Sequence, residues 1–196
     1  SHSLIAGIVG AGIASAGTEA VVVGGLIKVV IALAASPFVG FFGGLLLMHI
    51  LFWGFRRSTP SFVNGLFGRI QVFSAAWMAY AHGKNDGQNA AGIITFALAI
   101  HYGWSSEDLV VPLWVLMASA ISISAGLAIG GWRVIQTLGM RVTKLTPVHG
   151  FAAQTGAAAV IETASTMGLP VSTTHTMTST IMGVGSTERL SAVRWG

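Results

Sequence analysis

Gly83-Lys84-Asn85-Asp86-Gly87-Gln88-Asn89-Ala90-Ala91-Gly92 is a polar, glycine-punctuated decapeptide set between two apolar stretches, residues 69–82 before it and 91–101 after it. An isolated charge at the centre of a bilayer costs about 2.5–3.5 kcal/mol on insertion scales. A lysine, an aspartate and two asparagines grouped at such depth therefore point to binding. Each flanking piece is too short to cross alone, since a hydrocarbon core of about 30 Å takes about 20 residues. Together they predict one membrane span, broken at the decapeptide.

Composition sets the solvent. Of 196 residues, 53% are hydrophobic and only 8% charged, where a soluble domain carries about 25% charged residues. That is the make-up of a polytopic membrane protein. The 26 glycines suit close helix packing in lipid, with Gly40, Gly43, Gly44 and the pair Gly126 and Gly130 as candidate contacts. A net charge of +4 does not indicate nucleic acid, because the basic residues stand singly or in pairs between apolar runs, as topology signals do. The absence of cysteine excludes disulfides, thiolate catalysis and Cys-based metal sites.

Along the chain, residues 4–17 make half a span and 24–35 an apolar stretch ended by Ser36-Pro37. Pro37 predicts a boundary between two helices. Residues 38–55 form a clean span that stops at Arg56-Arg57, and Ser58 to Gly68 reads as a polar cytoplasmic loop. A full span over 109–130 follows the acidic Glu107 and Asp108, then Arg133, Arg141 and Lys144 mark the cytoplasm again. Residues 148–168 are apolar and rich in alanine, and Gly168-Leu169-Pro170-Val171-Ser172-Thr173-Thr174-His175-Thr176 interrupts them. With basic residues on both flanks, this segment predicts a re-entrant hairpin whose turn lies at depth. Irregular backbone there must line a cavity or be buried in protein.

Aligning His2 with His175 also pairs Ser3 with Thr176, Ile8 with Ile181, Gly10 with Gly183 and Gly12 with Gly185. This internal repeat, with the charge pattern, predicts two inverted copies, the first lacking its beginning, so the chain reads as a fragment. The expected fold is an all-α polytopic membrane protein, an inverted-repeat transporter with broken helices and re-entrant helical hairpins. Its divisions are 1–57, the end of the first repeat; 58–68, a cytoplasmic loop; and 69–196, the second repeat.

A half-helix N-terminus offers free N–H groups and partial positive charge, and Ser172, Thr173 and Thr174 add hydroxyl donors, a cradle for an oxyanion. Asn85, Asp86, Asn89 and unwound carbonyls would supply oxygens to a small cation such as Na⁺, Asp86 and Asn89 foremost, or Asp86 would take a proton. Cation entry then offsets the anion's charge. Structural roles compete: hydroxyls bond back to their own helix, and Asp86 can serve as the partner of Lys84. His82, His101 and His149 read as interfacial or packing residues. His175 recurs as His2, and either holds the turn or touches substrate. Gln154 and Glu162, on one apolar half-helix, are candidates to face the cavity.

Gly83-Lys84-Asn85-Asp86-Gly87-Gln88-Asn89-Ala90 and Pro170-Val171-Ser172-Thr173-Thr174-His175-Thr176 resemble the two motifs of the PiT family of inorganic phosphate transporters, in the same order. Ser36-Pro37 and the ending Leu190-Ser191-Ala192-Val193-Arg194-Trp195-Gly196 extend the likeness, and the ending has a bacterial cast. The resemblance implies cation-coupled phosphate uptake, H⁺ or Na⁺ being the coupling ion. It implies cations near Asn85, Asp86 and Asn89, and phosphate around Ser172, Thr173 and Thr174 with Ser1 and Ser3. Two positions depart from the family pattern. Lys84 stands where a small residue is usual, and would raise anion affinity or pair with Asp86; Gln154 stands where many relatives have Glu.

The expected partners are inorganic phosphate, free or as a metal–phosphate complex, and the lipid bilayer, with a homodimer allowed and no nucleic acid. The expected location is the bacterial cytoplasmic membrane, crossed several times. No cofactor or enzymatic activity is expected. An intramembrane hydrolase on Ser172 or Thr174 with His175 lacks both a Gly-x-Ser-x-Gly elbow and a His-Glu-x-x-His motif. Sulfate transport and a passive anion channel are the alternatives. Asp86 favours phosphate over sulfate, because phosphate can donate a proton to it.

Overall fold

The computed structural model describes residues 2–104, 109–136, 145–189 and 193. Expectations placed on Ser1, Glu107, Asp108, Arg141, Lys144 and the Leu190–Gly196 ending, Val193 apart, lie outside the described residues. Among the described residues six α-helices follow one another: α1 His2–Ala16, α2 Val23–Phe55, α3 Pro60–Tyr102, α4 Leu113–Gln136, α5 Pro147–Thr166 and α6 Thr173–Ser186, with a 3-10 turn at Thr18–Ala20. No strand occurs among the described residues. By length and composition, Val23–Phe55 and Leu113–Arg133 can each cross a membrane.

Pro37 lies inside α2 and does not divide it. Proline lacks the N–H that would bond the carbonyl four residues back, that of Leu33. The Ser36 hydroxyl donates to the Leu33 oxygen instead, at 3.2 Å. A neighbouring hydroxyl so placed lets a buried helix run through a proline. Ser36→Ala is expected to leave that carbonyl unsatisfied at a cost of about 1 kcal/mol, lowering Tm by about 2–4 °C. Thermal unfolding of the purified protein in detergent measures it.

The second correction concerns α3. It runs unbroken for 43 residues, about 65 Å at roughly 1.5 Å per residue, through both the polar decapeptide and most of the segment read as a loop. Only residues 56–59 separate it from α2. Thr59 caps its start, accepting from the Phe62 N–H at 3.4 Å, and Pro60 occupies the first turn, where its missing N–H costs nothing. The decapeptide holds no proline. Its glycines cost about 1 kcal/mol each relative to alanine, less than several unpaired backbone groups would cost away from water. Gly103, with φ 67°, ends the helix.

The predicted hairpin is present. Gly168 adopts φ 69°, and the Leu169 N–H reaches the Ala164 carbonyl at 2.9 Å while the Gly168 N–H reaches that of Ser165 at 3.1 Å, the paired bonds of a glycine-terminated helix. Leu169 to Ser172 cross over, and α6 starts back.

This hairpin, α5 and α6, sits between α2 and α3. Met48, Ala152, Ala153, Ile181 and Val184 form one buried cluster on the α2 side; Ala81, Ala158, Ile161 and Val171 form another against α3. Alanine and glycine dominate the inside, whereas Phe38, Phe42, Ile50, Trp53 and Ile129 are exposed. Large apolar side chains outside and small ones inside suit a helix bundle in lipid. Of the predicted glycine contacts, Gly40 and Gly44 lie against α6, while Gly43, Gly126 and Gly130 have nothing within 4 Å of where a Cβ would stand.

Candidate functional site

The hairpin turn and the middle of α3 meet. Ser172 caps α6, its Oγ accepting from the His175 N–H at 3.4 Å. One residue earlier, the Val171 carbonyl accepts from Asn85 Nδ2 at 3.1 Å, and the same nitrogen donates to Asp86 Oδ1 at 3.0 Å. One buried amide thus ties the Asn-Asp pair of α3 to the residue that precedes the hydroxyl run. Within that run Thr173 is buried and Thr174 exposed.

The N-terminus of a second helix converges on the turn. His2, the first described residue of α1, lies with its ring 5.0 Å from that of His175. The two histidines that the internal alignment equates therefore face each other, and Ser3 follows His2 in the first turn of α1. Two helix starts directed at one region concentrate free N–H groups and positive potential there.

Asp86 does not pair with Lys84. Its Oδ2 lies 3.5 Å from His82 Nε2, one helical turn back, so His82 is a member of the site and not a packing residue. Lys84 instead meets Glu162 of α5, Nζ to Oε1 at 2.6 Å. Asn89 points elsewhere: with Gln88 it lines a cavity of about 1020 Å³ between α1, α2 and α3, otherwise walled largely by apolar side chains such as Ile8 and Phe96. Gln154 is remote from the turn, its Oε1 accepting from Ser74 Oγ at 2.7 Å about 12 Å along α5 from Glu162. His149 is buried and closes the start of α5, with Nδ1 accepting from the Thr146 N–H at 3.3 Å. His101 is exposed beside Tyr102.

A continuous α3 removes one expected set of ligands. Its carbonyls at 83–92 are engaged in the helix, so a hard cation, which takes six or more oxygens, would draw on side chains and the hairpin turn, not on unwound backbone. Among the described residues no three His, Asp or Glu side chains cluster as a metal site. Thr176 was missed in the sequence: it is fully buried and, among the described residues, its hydroxyl has no hydrogen-bond partner. Its position one turn after Ser172, on the same face, was the available signal.

A hydroxyl-capped helix start enclosed in a bundle of small residues, tied to a polar patch at mid-helix and coated with large apolar side chains, defines a helical membrane protein with an internal polar site. The chain belongs to the phosphate transporter family, whose model matches residues 1–196. It is 44% identical over 196 residues to a probable low-affinity inorganic phosphate transporter of Rhizobium meliloti (strain 1021), covering all of this chain and 58% of that protein. A protein of the same description from Bacillus subtilis (strain 168) is 42% identical over 197 residues, with 59% of it covered. The chain thus spans about three fifths of the length of these relatives. A solved structure, described as the sodium-dependent phosphate transporter, superposes with a TM-score of 0.87 at 21% identity, over 96% of this chain and 64% of that one. The shared fold is all-helical, and the family is one of transporters, not enzymes.

Proposed function

We propose that the chain is part of a secondary transporter that moves inorganic phosphate across the bacterial cytoplasmic membrane, coupled to H⁺ or Na⁺. The observation that carries this reading is the Asn85 bridge, which joins a candidate cation group, Asp86, to the turn that presents the hydroxyls. Phosphate, alone or as a metal–phosphate complex, rests on Ser172, Thr173 and Thr174 together with Ser3 and Ser1. Asn85, Asp86 and Asn89 serve the coupling ion, and His82 orients Asp86. Family membership and the names of the relatives support phosphate as the cargo.

Residues 1–57 and 69–196 act as parts of two inverted repeats joined at 58–68, crossing the membrane several times, in a protein that can pair as a homodimer. The approach of His2 to His175 supports this arrangement. Alternation between the repeats would expose the turn to each side of the membrane in turn.

Radiolabelled phosphate uptake into proteoliposomes of the full-length protein, under imposed H⁺ or Na⁺ gradients, tests the reading. Wild type is expected to accumulate phosphate against its gradient, and Asp86→Asn to fall to the level of empty vesicles. Uptake that only equilibrates would make the protein a channel, and suppression by excess sulfate would change the cargo.

A further inference from the structure

His2 stands at the start of α1 and His175 in the first turn of α6. Their ring centres are 5.0 Å apart, with the planes tilted by 53°. The internal alignment equates these two residues, so one contact joins matching positions of the two repeats. Both side chains are exposed. Each ring can therefore turn about χ2, a broad torsion, without displacing packed neighbours.

The spacing has a chemical meaning. A Zn²⁺-class ion holds an imidazole nitrogen at about 2.0–2.1 Å, and the ring centre lies about 1.1 Å further out. Two imidazoles on one ion, at an angle of about 90–110°, then have centres about 4.5–5.2 Å apart. The observed 5.0 Å falls within that range. Other histidines are engaged differently: His82 and His149 each lie 3.5 Å from a carboxylate, that of Asp86 and of Glu188. Among the described residues no carboxylate stands so near His2 or His175.

We propose that His2 and His175 form a bridging site for a borderline divalent cation such as Zn²⁺, Co²⁺ or Ni²⁺, and that the bound ion clamps the two helix starts together and arrests transport. Neutral imidazole suits such ions, whereas hard cations such as Na⁺ take oxygens. The bridging ion is therefore not the coupling ion, which Asn85, Asp86 and Asn89 serve. Phosphate oxygens or water complete its coordination. The clamp rests on the phosphate-transport reading, in which the anion lies between the Ser172–Thr174 turn and the start of α1. Cargo held there leaves only when the two starts part.

Electrostatics couple the ion to the cargo. Two helix starts carry positive potential, which opposes a lone cation. A phosphate anion offsets that potential and raises the affinity for the metal; by linkage the metal raises the affinity for phosphate by the same factor, about tenfold. The metal thus tightens binding of the cargo while stopping its passage. A histidine pair that only packs the turn has neither effect.

The test uses the full-length protein, freed of any affinity tag, with Co²⁺ as the probe, because its visible absorption strengthens and shifts when nitrogen ligands replace water. Wild type is expected to bind Co²⁺ with that change, about tenfold more tightly in the presence of phosphate. His2→Gln and His175→Gln should each lose the spectrum, and His101→Gln should keep it. In proteoliposomes, saturating Co²⁺ should cut wild-type phosphate uptake by about tenfold or more, with recovery on chelation. Whatever uptake the His2→Gln and His175→Gln proteins retain should not respond to Co²⁺. Failure of wild type to bind Co²⁺, a spectrum that survives both changes, or its loss in His82→Gln alone would overturn the site. Co²⁺ that binds through the pair and leaves uptake unchanged, or speeds it, would overturn the clamp. Wild type that binds Co²⁺ through the pair yet accumulates no phosphate in its absence would overturn the transport reading beneath.

Discussion

Gly183→Ala is expected to unseat α6 from α2 and leave little folded protein, although it adds one methyl group. A Cβ at Gly183 would fall on the Phe41 carbonyl group. That obstacle is backbone in mid-helix and cannot rotate away. The same contact continues along α2, where a Cβ at Gly40 would stand 2.7 Å from Ser179 Oγ and one at Gly44 2.6 Å from the Thr180 carbonyl oxygen. Overpacking of a flexible core costs about 1–3 kcal/mol; here two helix axes must part, and the buried cluster of Met48, Ile181 and Val184 opens with them. The control is Gly43→Ala, on the same helix with nothing within 4 Å, which should match wild type. Monodisperse recovery and thermal midpoint in detergent decide the matter, and equal behaviour of the two variants would mean that the α2–α6 seat is not where the stability lies.

The second large effect concerns Asn85. Asn85→Ala removes the donor shared by the Val171 carbonyl and Asp86, two hydrogen bonds of which one goes to a carboxylate, at about 1–3 kcal/mol. Expressed through the geometry of the turn, that corresponds to a loss of about ten- to a hundredfold in phosphate uptake. Asn85→Asp should be worse despite its near-identical shape, because it sets a carboxylate against the Val171 oxygen and the Asp86 carboxylate at contact distances of 3.1 and 3.0 Å. Like-charged neighbours at that range cannot both ionise. Initial uptake rates in proteoliposomes at matched protein content measure both variants. An Asn85→Asp protein as active as wild type would show that the bridge does not hold the turn.

Much of the candidate site is legible because its signals are local. Gly168, Pro170 and Ser172 are a helix end, a crossover and a helix start written within five consecutive positions, and the hairpin forms where they stand. Pairings across long stretches of chain are not legible in this way. Nothing near Lys84 in sequence distinguishes Asp86, two residues away on a different helix face, from Glu162, 78 residues away. Side-chain direction on a helix excludes the near neighbour and favours the distant one. His82 is the converse case: four residues before Asp86, it shares a helix face with it, and the i,i+4 spacing was already enough to pair them.

The sequence alone determined the solvent, the helical class, the position of the hairpin and the residues of the polar patch, since hydrophobic composition and capping chemistry act over a few residues at a time. Only the tertiary structure decided that α2 passes through Pro37 and α3 through the decapeptide, that His2 meets His175, and that the charge of Lys84 belongs to Glu162. One physical reason covers the two helix paths and the ion pair. Whether a helix breaks depends on what else can satisfy its backbone, and whom a charge pairs with depends on what packing brings within reach; both are properties of the surroundings that the assembled bundle supplies.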